Sequence, residues 1–257
     1  MKLSVAIMSF NEEANIRRTL EAVLSLADEI VVVDSFSTDR TVEIAESLGA
    51  RVFREPWKGY IGQTNSCLEK CRGEWALCLD CDEVVTPELR ESIRRALEQP
   101  TAEGYLLNRR TFYLGRLLRY AWQPDRKLRL ARRDASLRCE GIEPHPVLKM
   151  EGRVARLFGD LIHYSYKDFS AHMGQTQNFA RKSAESYCRQ GRTANGFDLF
   201  SRPFFAFFQH YFLRRAFLDG VPGFLAAFSN AVYVYMKYAF LWEMQQEAVN
   251  HDRDGAG

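Results

Sequence analysis

The chain has 257 residues, 46% of them hydrophobic, and a formal net charge of +2; that is enough apolar content for one large α/β domain with added elements, or for two small domains. The same content, with 16 glycines and 8 prolines, excludes a disordered chain. The total charge is uninformative about partners, but its distribution is not.

In chain order, MKLSVAIMSFNEE has one lysine and a short apolar run ending at Phe10 and Asn11, with no small-residue cleavage site. It predicts a first strand over Leu3 to Phe10, not a signal peptide. Without an export signal the six cysteines are expected in a reducing cytosol, free of disulfides. Asn11, Glu12 and Glu13 mark a helix start, with the helix running to about Leu26 and Ile16, Leu20, Val23 and Leu24 on one face. EIVVVD supplies a wholly apolar second strand, Ile30 to Val33, closed by Asp34. A Ser/Thr/Asp-rich turn leads to a helix from Asp39 to Leu48, capped by Gly49. ARVFREP is a third strand, Tyr60 to Lys70 a helix, and EWALCLD a fourth strand. Thr86 caps a helix with Pro87 in its first turn and Leu89, Ile93 and Leu97 on one face. Alternating strands and helices predict a parallel sheet with right-handed crossovers.

Ligands of such sheets bind beyond the carboxyl ends of the strands. Asn11 and Glu12 follow the first strand, Asp34 the second, and Asp80, Cys81, Asp82 and Glu83 the fourth. Each alone reads as a solvated strand end, but three at successive strands point to one crevice. Asp80 and Asp82 share a face if the backbone stays extended, and two such carboxylates suit Mg2+ or Mn2+ carrying diphosphate oxygens. A zinc site on Cys67, Cys71, Cys78 and Cys81 is disfavoured, because zinc motifs separate two close pairs by a longer loop. Buried small hydrophobes are the expected reading of these cysteines.

Between Arg109 and Arg133 basic residues crowd around a single Asp125. Such a patch attracts anions, among them phosphorylated glycolipid or an anionic membrane; the alternative is a solvated face paired with acids of the first half. No nucleic-acid module is recognisable, so nucleic acid is not an expected partner. The aromatic segment from Pro203 to Met244 predicts two helices, Pro203 to Leu218 and Gly223 to Met244, broken by GVPG. No run reaches the roughly 18 uninterrupted apolar residues of a confident membrane span. These helices either lie in a membrane interface or pack on the preceding domain or a homo-oligomer partner. The simplest division is a domain over 1–170, with halves 1–98 and 99–170 that the resemblance described next assigns to nucleotide-sugar and acceptor, and a helical region over 171–257.

The stretches SVAIMSFNEEANI, EIVVVDSFSTDRTVEIAESLGARV and GEWALCLDCDEVVTPEL together resemble the family 2 glycosyltransferases of GT-A fold, most of all the lipopolysaccharide core β-1,4-glucosyltransferase-like branch. The likeness is specific over Met1 to Leu97 and looser through WQPDRKLRL, GDLIHYSY and the aromatic segment. It implies a Rossmann-like, mostly parallel sheet flanked by helices, with an aromatic-rich helical appendage. It also implies an inverting transfer, with glucose the expected sugar, from a UDP-sugar to an anionic lipopolysaccharide core, in the cytoplasm and peripheral to the inner membrane. By the resemblance Ser9, Asn11 and Glu12 surround the nucleotide, Asp34 accepts from uracil, Asp80 faces ribose and diphosphate, and Asp82 binds Mg2+ or Mn2+. Glu83 completes a D-x-D-E form, supporting the metal loop or touching the sugar; Cys81 stands where the family often has Ala. His163 is a further metal or diphosphate ligand, or merely structural.

Inversion needs a general base near the acceptor hydroxyl. CEGIEPHPVL offers Glu140, Glu143 and His145, with Glu143 preferred because Pro144 and Pro146 hold the loop extended; loop solvation is the other reading of the glutamates. Arg126 and Arg129, with Trp122, are the expected acceptor or diphosphate contacts. Transfer to another glycan or a lipid-linked acceptor, or nucleotide-sugar binding without catalysis, are the alternative functions.

Overall fold

The computed structural model describes residues 1–142 and 145–254. The chain begins β1 (Leu3–Ser9), α1 (Ile16–Glu21), β2 (Glu29–Asp34), α2 (Thr41–Ser47), β3 (Arg51–Arg54), α3 (Gly59–Lys70), β4 (Trp75–Asp80), β5 (Glu83–Val85) and α4 (Pro87–Glu98). It continues with β6 (Gly104–Tyr113), β7 (Arg116–Leu117), β8 (Arg126–Arg132), β9 (Arg138–Ile142), β10 (His145–Lys149) and β11 (Val154–His163), then α5 (Phe169–Arg189), α6 (Gly196–Phe208) and α7 (Gly220–Asp254). This is the expected α/β architecture with a helical C-terminal region.

The chain forms two compact units. One comprises Met1–Arg110 and Pro124–Tyr164, the other Thr111–Gln123 and Ser165–Gly257.

The first unit is built on a sheet ordered β3-β2-β1-β4-β8-β6-β11-β5. Strands β3, β2, β1 and β4 are parallel, as the continuous apolar runs of β1, β2 and β4 predict. From β8 onward the pairings to β4 and β6, and that of β11 to β5, are antiparallel. Val5, Ile7, Val32, Leu77 and Leu79 pack on one side of the sheet with Ile16, Leu20, Leu89 and Ile93. Ala6, Val31, Val33 and Cys78 pack on the other side with Cys67 and Leu68 of α3. The cysteines behave as the small hydrophobes expected. Cys67 and Cys71 donate to the carbonyls of Ile7 (3.3 Å) and Cys67 (3.2 Å), and burial pushes their thiols up to about 12 and about 11.

Two local expectations change. The helix read from Asn11 to Leu26 is regular only over α1, because Asn11 adopts φ +53° and residues 11–15 make a turn, with Asn15 and Ile16 both donating to the Glu12 carbonyl. The strand-end acids do not line one extended strand, because β4 stops at Asp80 and a turn precedes β5. Downstream, Thr86 caps α4 as predicted, accepting from Leu89 N at 3.3 Å. Gly159 (φ +95°) lets β11 cross the start of this helix, where a Cβ would lie 2.3 Å from Leu89 N.

In the second unit Tyr113, Leu118 and Ala121 form a core with Ala216, Ala226 and Ala227. Asp219 is fully buried and accepts from the backbone N–H groups of Arg119 (2.9 Å), Tyr120 (2.8 Å) and Ala121 (2.8 Å). The helix boundaries differ from those read at Pro203 and GVPG. An Asn195–Asp198 capping box starts α6 well before Pro203. Pro222 sits in the first turn of α7, where a missing N–H costs no helix bond. The break lies upstream, at a π-helical turn over Gln209–Leu213 and at Arg215 (φ +59°). By length and composition the stretch Ala216–Glu247 is long and apolar enough to cross a membrane.

Candidate active site

Register assembles the site. Ser9 pairs with Asp34 and Met8 with Asp80, so β1, β2 and β4 end together and their trailing residues meet at one edge of the first unit. Antiparallel pairing of β11 with β5 places His163 opposite Glu83, and the Tyr164 N–H donates to the Asp82 carbonyl at 2.9 Å.

Asp34 is fully buried. It accepts from Ser9 Oγ (2.9 Å), Ser37 N (2.8 Å) and Ser37 Oγ (2.5 Å). These bonds fix Asp34 and the turn that follows β2 at the strand end. Asn11 completes the turn: its N–H donates to Ser37 Oγ (2.8 Å) and its Oδ1 accepts from Thr38 N (2.8 Å). Phe36 at the turn is half exposed with φ +62°, and Arg54 lies 5.6 Å over its ring. Neither residue was marked by the sequence; a non-glycine residue at positive φ is visible only in three dimensions. Glu12 receives a hydrogen bond from Asn15 (2.9 Å). Burial, and then the nearby negative charges of Asp82, Asp39 and Asp80, raise its pKa above the usual carboxylate value.

The D-x-D-E acids divide between two partners. Asp82 Oδ2 lies 3.2 Å from His163 Nε2, and both side chains are partly exposed. Asp80 and Glu83 share Arg129, whose Nη2 is 2.5 Å from Asp80 Oδ2 and 2.6 Å from Glu83 Oε1. Glu83, fully buried, also accepts from Asp80 N (3.1 Å) and Arg109 (3.4 Å). Burial disfavours charge on both acids. The Arg129 cation outweighs it at Asp80, whose pKa is lowered, whereas burial prevails at Glu83, whose pKa is raised. Glu83 therefore braces the loop from within. Arg129 is held between the two acids at the strand ends.

The basic stretch is likewise mostly paired. Arg109 binds Asp125 (2.7 Å), Arg110 binds Asp160 (2.8 Å) and Arg132 binds Asp134 (2.6 Å), so these charges are met by acids within or after the stretch, and acids of the first half meet Arg129. Arg126 is exposed at the start of β8. Trp122 belongs to the second unit, where it packs against Tyr113 and His172 with ring centroids 5.3 and 5.5 Å away. Arg18, which the sequence did not single out, lies 3.5 Å over the Tyr164 ring, next to the Asp82–His163 pair in sequence. Glu140 is bound by Arg138 and by Lys149 (3.0 Å), and Lys149 and Arg138 lower its pKa, which makes it a poor base. Glu143 lies outside the described residues.

Among the described residues no group of three or more His, Cys, Asp or Glu forms a closed metal cage. Asp82 and His163 offer a carboxylate and an imidazole with the remaining positions open. That set fits a hard divalent ion that draws its other ligands from a substrate diphosphate and water.

A parallel nucleotide-type half-sheet, with acids at its strand ends and an antiparallel extension carrying a histidine to them, is the framework of a glycosyltransferase. The family model described as "Glycosyl transferase family 2" matches residues 4–148, more than half of the chain, and the protein belongs to that family. An uncharacterized glycosyltransferase of Rickettsia typhi is 29% identical over 97% of this chain and 89% of its own length. The lipopolysaccharide core biosynthesis glycosyltransferase LpsC of Rhizobium meliloti is 29% identical over 95% of this chain and 93% of its own. The crystal structure of S. aureus TarS 1-349 in complex with UDP-GlcNAc superposes with a TM-score of 0.52 at 16% identity, covering 96% of this chain and 92% of that one; this likeness concerns the fold. The protein is a glycosyltransferase with the GT-A architecture read from its sequence.

Proposed function

We propose that the enzyme transfers a hexose, glucose being the expected sugar, from a UDP-sugar to a hydroxyl of the lipopolysaccharide inner core, with inversion. The observation that carries this reading is the Asp82–His163 pair at 3.2 Å, set at the common end of β1, β2 and β4 beside the Arg129-braced Asp80. The similarity to LpsC over nearly the whole chain supports the acceptor. An acceptor anchored in lipid places the reaction at a membrane surface, taken as the cytoplasmic face of the inner membrane.

Ser9, Asn11 and Asp34 shape the turn that receives the nucleoside. Asp80, held in place by Arg129, faces the ribose and diphosphate. Asp82 and His163 would hold Mg2+ or Mn2+, which when bound neutralises the leaving diphosphate as a Lewis acid. The acceptor oxygen forms a bond to the anomeric carbon as the bond from that carbon to the UDP oxygen breaks, and the hydroxyl proton passes to a carboxylate base, assigned to Glu143. Glu83 contributes by positioning Asp80 and the loop, without touching the sugar.

The test is a screen of UDP-sugars with purified core lipopolysaccharide, with Mg2+, Mn2+ or a chelator. Acceptor-dependent UDP release, lost with chelator, is the expected result. Release with a different glycan acceptor instead would move the acceptor assignment, and no release with any nucleotide sugar would overturn the reading. Single replacements Glu140→Gln, Glu143→Gln and His145→Gln locate the base: only Glu143→Gln should abolish turnover.

A further inference from the structure

Sugar transfer does not account for one surface of the second unit. Phe197, Phe200, Phe204 and Phe208 recur along α6 at spacings of three and four residues, so they share one face of the helix. They are 76%, 78%, 68% and 41% exposed. The apolar strip continues through Phe212 and Leu213, exposed by 49% and 63%. Away from this strip, Ala206 is buried and Phe207 packs into the core around Tyr113 and Ala226. The helix has thus docked one face inside its unit and left the more aromatic face uncovered, the reverse of an ordinary surface helix. A contiguous apolar strip of this kind marks an interaction surface.

Charge identifies the occupant. From Leu199 to Leu218 the charged residues are Arg202, Arg214 and Arg215, with no acid among them. Arg202 is bound to Asp198 at 2.5 Å, whereas Arg214 and Arg215 are exposed at the end of the strip. A second copy of this chain would bring no free acid of the strip to meet them, because Asp198 is already engaged. Lipid phosphates would meet them, and the aromatic rings would enter the acyl boundary beneath.

We propose that α6 and the π-helical turn after it form a docking surface for an anionic bilayer, lying in the headgroup plane with the Phe200 and Phe204 rings inserted and Arg214 and Arg215 on lipid phosphates. The proposal concerns α6 and its turn; α7 keeps Ala226, Ala227 and Leu241 buried within its unit, with Lys237 over the Tyr187, Tyr233 and Tyr238 rings. The inference does not depend on the lipopolysaccharide reading, since vesicle binding is measured without sugar transfer.

The experiment is flotation of the full chain with vesicles of phosphatidylcholine alone and of phosphatidylcholine mixed with phosphatidylglycerol. Wild type should float with the mixed vesicles and be released by high salt or alkaline carbonate. Phe200→Ser with Phe204→Ser should lose binding to both kinds of vesicle. Arg214→Gln with Arg215→Gln should lose roughly thirty-fold on anionic vesicles only, at about a factor of five per arginine. Unchanged melting temperatures would show that these exposed substitutions leave the fold intact; if the pair melts early, the single Phe200→Ser replaces it, expected to weaken binding to vesicles, with equal flotation to wild type counting against the proposal. Three outcomes overturn the proposal: no flotation of wild type, flotation of the serine variant equal to wild type, or resistance to carbonate. A concentration-dependent dimer abolished by the serine pair, without vesicle binding, would assign the strip to a second copy instead.

Discussion

Asp34, Glu83 and Arg129 lie inside the first unit with their charges matched by serine hydroxyls, backbone amides or one another. The second unit instead places phenylalanines outside along α6 and keeps Asp219 buried on three backbone amides. In the first unit, position is gained by paying desolvation at a place where charge must be held still. In the second, apolar area is left uncovered, which is tolerable for a surface that something else will cover. Buried polarity and exposed apolarity are both departures from the ordinary rule of burial, and both mark function.

Removing Arg129 should break the first half of this comparison most severely. Arg129→Met leaves Asp80 without its cation and Glu83 with only the longer contact to Arg109 (3.4 Å), and should cost about 3–5 kcal/mol in denaturant unfolding. Adding Glu83→Gln should recover part of that loss; a double variant as unstable as the single one would show that the pairing is not what holds the loop. Asp82→Asn tests chemistry apart from stability. Transfer should fall on the order of a hundred-fold or more, with little change in melting temperature.

The second unit has a titratable liability in His172. It is 4% exposed, lies 2.7 Å from Tyr113 Oη, and burial lowers its pKa from 6.5 to about 4. Because the folded state resists protonation, its stability is complete above pH 6.5 and declines as pH falls from there through 4, by up to about 3 kcal/mol. Urea midpoints measured across this range should converge for wild type and His172→Gln at the acid end; a parallel loss in both would assign the acid sensitivity elsewhere. The smallest effect is expected from Asp219→Asn, which keeps one acceptor oxygen for the three N–H donors. It should cost about 1–2 kcal/mol, without altering unfolding of the first unit where that is separately visible.

Much of the first unit was legible because its strands are continuous apolar runs and its helices carry amphipathic spacing or clear caps, as at Thr86 and Pro87. The crevice was legible for the same reason, since acids that directly follow buried strands must gather where those strands end. Less visible was everything set by antiparallel return. That Arg129 turns inward to Asp80 and Glu83, and that Arg109 and Arg110 find Asp125 and Asp160, depends on registers that no local pattern encodes. The α1 boundary failed because Asn11 spends its helix-starting capacity on Thr38. The α6 boundary failed because Pro203 was read as a start, although Asn195 and Asp198 offered a better cap. Arg18 and Phe36 gave no sequence signal, since one is an ordinary helix residue and the other acquires meaning through its backbone angle.

His163 joins Asp82 only through the last strand of the first unit. A chain that has emerged through β5 carries Asp34, Asp80, Asp82 and Glu83, but the imidazole comes only with β11 and its pairing to β5. The pairing is distant in sequence and therefore slow relative to local helix formation. The Asp82–His163 pair is thus absent from any chain that ends before β11.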